Sequence, residues 1–290
     1  MVQLREPDAA VDAPNSFDGT VLRNYAAAEL DRALAYLAWR GGRLHGGVHQ
    51  ARKSLRRVRS VLALGMPSLG PGAQLLGREI GRLNRRLSKL RDTQALVEVL
   101  DRLIRKTKAI EVGRVLRRVR RLVAKDRAER ARTVLADDPH LARRRALLTT
   151  LRAALPALPW NALTEADVRE GWARSRLRSE EAGARALASG EDSDWHRWRR
   201  RVRRVSQQHL ALGDMLPDLT RTRRHYKSLA GSLGEAQDYA LLREHCGKRS
   251  RFSDPDRRTL RELADRGTER MRARVAESAV VQPAAATQMP

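Results

Sequence analysis

A histidine followed by guanidinium groups at three- and four-residue intervals is a set of side chains able to hold phosphate. On a helix, His49, Arg52, Arg56 and Arg59 fall within roughly 80° of one another, and Lys53 and Arg57 widen the stripe on one side. Ala51, Leu55, Val58 and Leu62 lie opposite. The helix can therefore bury one side and hold five cations and an imidazole on the other. Guanidinium donates through a planar fork that matches phosphate oxygens. No acidic residue occurs between His45 and Leu76, whereas a solvated helix intersperses Glu to relieve like-charge repulsion. The stripe calls for an anion from outside the chain.

The pattern recurs 147 residues later. His196, Arg199, Arg203, Arg204 and Val205 match His49, Arg52, Arg56, Arg57 and Val58, while Arg200 replaces Lys53 and Val202 replaces Leu55. A second similarity, 83–92 with 229–238, has an offset of 146 and aligns Asp92 with Asp238. Two similarities at nearly one offset read as an internal duplication. The copies are not equivalent, because Ser206 stands where the first has Arg59. A further basic stripe, Arg78, Arg82, Arg85 and Lys89, shares a face with Asp92 on a helix expected over 74–106. Its counterpart is thinner: Arg224 and Lys227 near the Asp238 face, with Gly231 in the place of Arg85. Asp92 and Asp238 are read as ion-pair partners that orient arginines rather than as catalysts.

Other chemistries lack parts. His45 and His49 stand at a spacing that can share a metal, but no HExxH glutamate or third ligand accompanies them. Cys246 and His245 are neighbours, so on a helix they point about 100° apart. There is no Walker loop, no G-x-G-x-x-G and no paired-carboxylate site for a divalent cation. The expectation is a chain without metal or cofactor, and not an enzyme.

Composition agrees with an anionic partner. The 290 residues carry a net charge of +25, far beyond what solubility requires. Only seven of the 59 basic residues are Lys, and Arg is the better bidentate phosphate ligand. Aromatics are 4% and are not interleaved with the basic positions, as single-strand nucleic-acid binders require. One cysteine excludes an internal disulfide and fits a reducing compartment. Neither a signal-like leader nor an apolar run of membrane-spanning length is present, so a cytoplasmic protein without membrane association is expected.

The repeated H-x-x-R-(K/R)-x-x-R-R, each copy followed by a helix ending in Arg-Asp or Gln-Asp, resembles the CHAD family (conserved histidine α-helical domain) over about residues 16–278. The resemblance implies an all-α fold of two four-helix bundles around a basic groove or pore that binds inorganic polyphosphate, in proteins associated with polyphosphate granules. Carried over, the binding positions are His49, Arg52, Lys53, Arg56 and Arg57, with His196, Arg199, Arg200, Arg203 and Arg204. The two histidines would donate to phosphate oxygens; packing at a helix–helix contact is the other reading. Some relatives also carry a triphosphate-tunnel catalytic domain, for which this chain has no room. A helical nucleic-acid-binding protein is the alternative function.

The elements that position these residues follow from periodicity and breaks. Residues 1–15 read as a disordered leader and 279–290 as a disordered tail. Helices are expected over 17–39, to about 64 for the His49 helix, 74–106, 111–135, 137–155, 164–188, 192–215, 218–247 and 255–277. Pro156–Pro159 separates a first half (16–155) from a second (162–278). Trp195 and Trp198 fall on the apolar side of the second stripe and are assigned to the core.

Overall fold

Local signals in the sequence start and stop the helices. The Asp18 carboxylate accepts from the Thr20 amide at 2.8 Å and caps α1 (Gly19–Leu37). Thr164 and Asp167 form a reciprocal capping box at the start of α7 (Glu165–Ser189), which Gly190 ends in a left-handed conformation. The computed structural model describes residues 17–213, 215–247 and 250–280. The expected leader, and all but the first two residues of the expected tail, lie outside them. The other helices are α2 (Leu44–Leu62), α3 (Gly70–Arg86), α4 (Ser88–Lys106), α5 (Ile110–Asp137), α6 (Ala142–Ala154), α8 (Asp192–Leu212), the single turn α9 (Pro217–Thr220), α10 (Arg223–His245) and α11 (Asp254–Val280). The fold is all-α, with ten long helices and no strand among the described residues.

Two expected helices are broken. The 74–106 helix is interrupted at Leu87, between α3 and α4. The cause is a side chain inserted into the hydrogen-bond ladder. Arg52 of α2 donates to the Asn84 carbonyl, the acceptor the Ser88 amide would otherwise use, and the Ser88 hydroxyl turns back to the Arg85 carbonyl at 2.7 Å. The 218–247 helix is broken between α9 and α10, where the Thr222 hydroxyl lies 3.3 Å from His209 Nε2.

Consecutive helices joined by short connections pack as hairpins: α1 with α2, α4 with α5, α7 with α8, and α10 with α11. The hairpins then meet in a cycle, α2 against α8, α8 against α10, α10 against α4 and α4 against α2. One core joins α1, α2, α3 and α6 with Trp160 and the start of α7. Trp195 and Trp198 belong to another, between α7, α8 and α10. The remaining core packs Leu96, Leu100, Leu116 and Val123 of α4 and α5 against Leu242, Leu260 and Ala264 of α10 and α11. It draws on both sides of the Pro156–Pro159 junction.

Candidate anion-binding groove

Helices α2 and α8 each bury an apolar face outward and turn their arginines toward each other. On α2 the buried residues are Val48, Ala51, Leu55, Val58 and Leu62. On α8 they are Trp195, Trp198, Val202 and Val205. Where the helices cross, the Ser60 hydroxyl donates to Gln207 Oε1 at 3.0 Å and Gln208 Nε2 donates to the Ser60 carbonyl at 3.2 Å. Ser60 and Gln207 are 147 positions apart, so the crossing joins a residue to its own counterpart under the sequence offset.

Arg56, Arg59, Arg203 and Arg204 line a cavity of about 250 Å³ beside this crossing, with Arg200 and Arg201 at its edge. Among the described residues, Arg56, Arg59, Arg199, Arg203 and Arg204 make no ion pair, and Arg52 Nε and Arg56 Nε are buried without a hydrogen-bond partner. Burial, reinforced by Arg56 and Arg199, pushes the Arg203 guanidinium down to about 8. Burial with Arg52 and Arg199 pushes Arg56 down to about 9, and burial with Arg201 and Arg59 pushes Arg204 down to about 10. Arg52, Arg59 and Arg199 shift the same way, again mainly through burial, with Asp92 opposing the shift at Arg52 and Asp238 opposing it at Arg199. A guanidinium stays protonated at neutral pH. The shifts therefore measure charge held in poor solvation without a counterion.

A second cavity of about 540 Å³ shares Arg59 and Arg204 with the first and is edged by Arg78, Arg82 and Arg85 of α3. The two make one basic groove. The break at Leu87 takes Asp92 off the α3 stripe and onto α4, so the single face expected for Arg78 through Asp92 does not exist. Lys89 lies on α4, but its side chain is outside the described residues. Arg82 is paired with Glu79.

The two copies fill the groove differently. Arg57 turns away and donates to the buried Glu29 of α1 at 2.9 Å, a carboxylate that Arg32 also contacts at 2.7 Å. Its counterpart Arg204 lines both cavities, opposite Arg59, whose own counterpart is Ser206. Each copy thus supplies one arginine at this level, from different positions. His196 is exposed and donates from Nδ1 to Gln237 Oε1 at 2.7 Å. His49 is partly buried near the Arg91–Glu98 ion pair of α4; burial, then Arg91, push it down to about 4. Lys53, Arg224 and Lys227 are exposed and line neither cavity. Asp238 pairs with Arg102 at 2.6 Å.

Sequence reasoning missed Arg201, Arg91 and the Ser60–Gln207 contact. The offset of 147 could have suggested that contact. Nothing in the sequence distinguishes Arg201 from its neighbours in an arginine run. No helix of the described residues is long and apolar enough to cross a membrane.

No curated protein matches the sequence. Solved structures share the fold, among them the following two. PptA from Streptomyces chartreusis superposes with a TM-score of 0.64 at 18% identity, covering 90% of this chain and 98% of that one. The CHAD domain from the plant Ricinus communis superposes with a TM-score of 0.56 at 17% identity, covering 97% of this chain and 93% of that one. At these identities the likeness speaks for the fold alone. The sequence match is to the CHAD domain over residues 24–247. That span holds both stripes and the crossing between them, and by it this chain belongs to the CHAD domain family.

Proposed function

We propose that the groove binds inorganic polyphosphate without turning it over. One observation carries the reading: arginines from two facing helices, Arg56 and Arg203 foremost, are pressed together in a recess and meet no acidic side chain among the described residues. A chain of phosphoanhydrides offers negative charge at every unit and is slim enough to enter such a recess. Duplex DNA, with its far larger cross-section, leaves its phosphates outside. The contact between Ser60 and Gln207 supports the internal duplication, with a pseudo-two-fold axis through the α2–α8 crossing. On this reading the hairpins form two related bundles about the groove, in halves 16–155 and 162–278. The role is non-catalytic and cytoplasmic, at polyphosphate granules.

Competition at physiological salt tests the ligand. Long-chain polyphosphate is expected to displace single- and double-stranded DNA, with a steep dependence of affinity on salt from counterion release. Equal affinity for DNA would favour the nucleic-acid alternative. Incubation of polyphosphate with Mg²⁺ or Mn²⁺ is expected to release no phosphate.

A further inference from the structure

The second cavity has a feature that polyphosphate does not use. Its arginines edge an apolar floor made by Ala63 and Met66, with the buried Leu62 beneath them, below the glycine-bearing face of α3. Beyond its first turn that helix carries two glycines, Gly77 and Gly81, although Gly inside a helix is less favourable than Ala. At Gly81 packing explains the choice, because a Cβ there would lie 3.3 Å from Arg59 Cζ. At Gly77 it does not: the nearest atom to a Cβ is Leu62 Cδ1, at an ordinary 3.8 Å. The missing side chain at Gly77 leaves space above the floor that a side chain could have filled.

Polarity runs along the cavity. Gln74 stands at one end, the only uncharged polar side chain in the lining, and Arg59 and Arg204 stand where the cavity joins the first. Between Gln74 and Arg85 the helix rises about 16 Å. An apolar floor left unfilled at Gly77 can take a planar ring, a carboxamide can bond the edge of a base, and guanidinium groups both stack on rings and hold phosphates. We infer that this cavity is a site for a nucleoside polyphosphate, its base on the floor between Met66 and Gly77 and its phosphates at Arg59 and Arg204. The phosphate end rests on the groove reading above; the base end is independent of it.

Calorimetry with ATP, tripolyphosphate and decyl phosphate at one ionic strength tests this. ATP is expected to bind about tenfold or more tighter than tripolyphosphate, the scale of one stacked base. Gly77→Leu fills the floor and improves helix propensity, so it should fold. It is expected to abolish the ATP advantage and leave tripolyphosphate unchanged, while Arg59→Ala weakens both. ATP no tighter than tripolyphosphate, or an advantage that survives Gly77→Leu, overturns the site. Decyl phosphate matching ATP overturns the base assignment in favour of a lipid chain. If tripolyphosphate and long polyphosphate both fail to bind, the groove reading falls as well; a missing ATP preference alone removes only this inference.

Discussion

Arg56 and Arg203 show how a residue can be kept for a ligand at the expense of the empty fold. Each is pushed well below the usual guanidinium value by burial, helped by Arg52 and Arg199 at Arg56 and by Arg56 and Arg199 at Arg203. Replacing a buried, uncompensated charge with an apolar side chain of similar volume is often stabilising. Arg56→Met and Arg203→Met are therefore expected to raise ligand-free stability by about 1–2 kcal/mol each, seen as a higher melting temperature, and to lose most polyphosphate affinity. A control that removes surface charge, Arg117→Ala with Arg121→Ala, should change neither much. Equal loss of affinity in the two sets would mean that only long-range charge matters. Glu29 is the opposite case, a carboxylate 1% exposed that holds Arg57 and Arg32. Glu29→Gln removes the partner but leaves the Arg57 charge beside the α1–α2 interface, which should cost about 3 kcal/mol in chemical denaturation with little effect on ligand affinity.

At the scale of elements, the helices were legible because apolar periodicity and breaks such as Pro156–Pro159 are local signals. The breaks at Leu87 and near Thr222 were not, because each coincides with a side-chain contact from another helix: Arg52 of α2 onto Asn84, and His209 of α8 onto Thr222. The arginine stripes were visible in spacing alone. What spacing could not show was that Glu29, 28 residues before Arg57, would draw that arginine out of the stripe. The α2–α8 crossing is where the elements set the groove's width. A double-mutant cycle on Ser60→Ala and Gln207→Ala is expected to give a coupling of about 1 kcal/mol. Its absence would mean that the crossing is held by packing alone.

Across the whole molecule, histidine burial ties stability and binding to pH. His49 titrates near 4 in the fold against 6.5 when unperturbed, and His45 and His209 are lowered in the same direction, each mainly by burial. The unfolded chain then takes up protons that the native state refuses. The contribution is complete above about pH 6.5 and is lost as pH falls toward 4, most of it before the carboxylates protonate. Melting temperature should fall through that window, and His49→Gln should flatten the fall; an unchanged profile would remove His49 from the account. A polyanion in the groove opposes the effect by favouring the imidazolium. Polyphosphate binding near pH 5.5 should therefore take up protons, measured as a dependence of calorimetric heat on the buffer's ionisation enthalpy.

The core shared by α4, α5, α10 and α11 also has a consequence for synthesis. Leu96, Leu100, Leu116 and Val123 leave the ribosome long before Leu242, Leu260 and Ala264, the residues that cover them. At ordinary translation rates that interval is roughly 10–30 s. Throughout it the nascent chain displays one side of an unfinished core beside helices already rich in positive charge. The cycle of hairpins closes when α10 reaches α4, but the shared core is covered only when α11 arrives, so any pause or truncation ahead of Asp254 strands an adhesive, cationic intermediate.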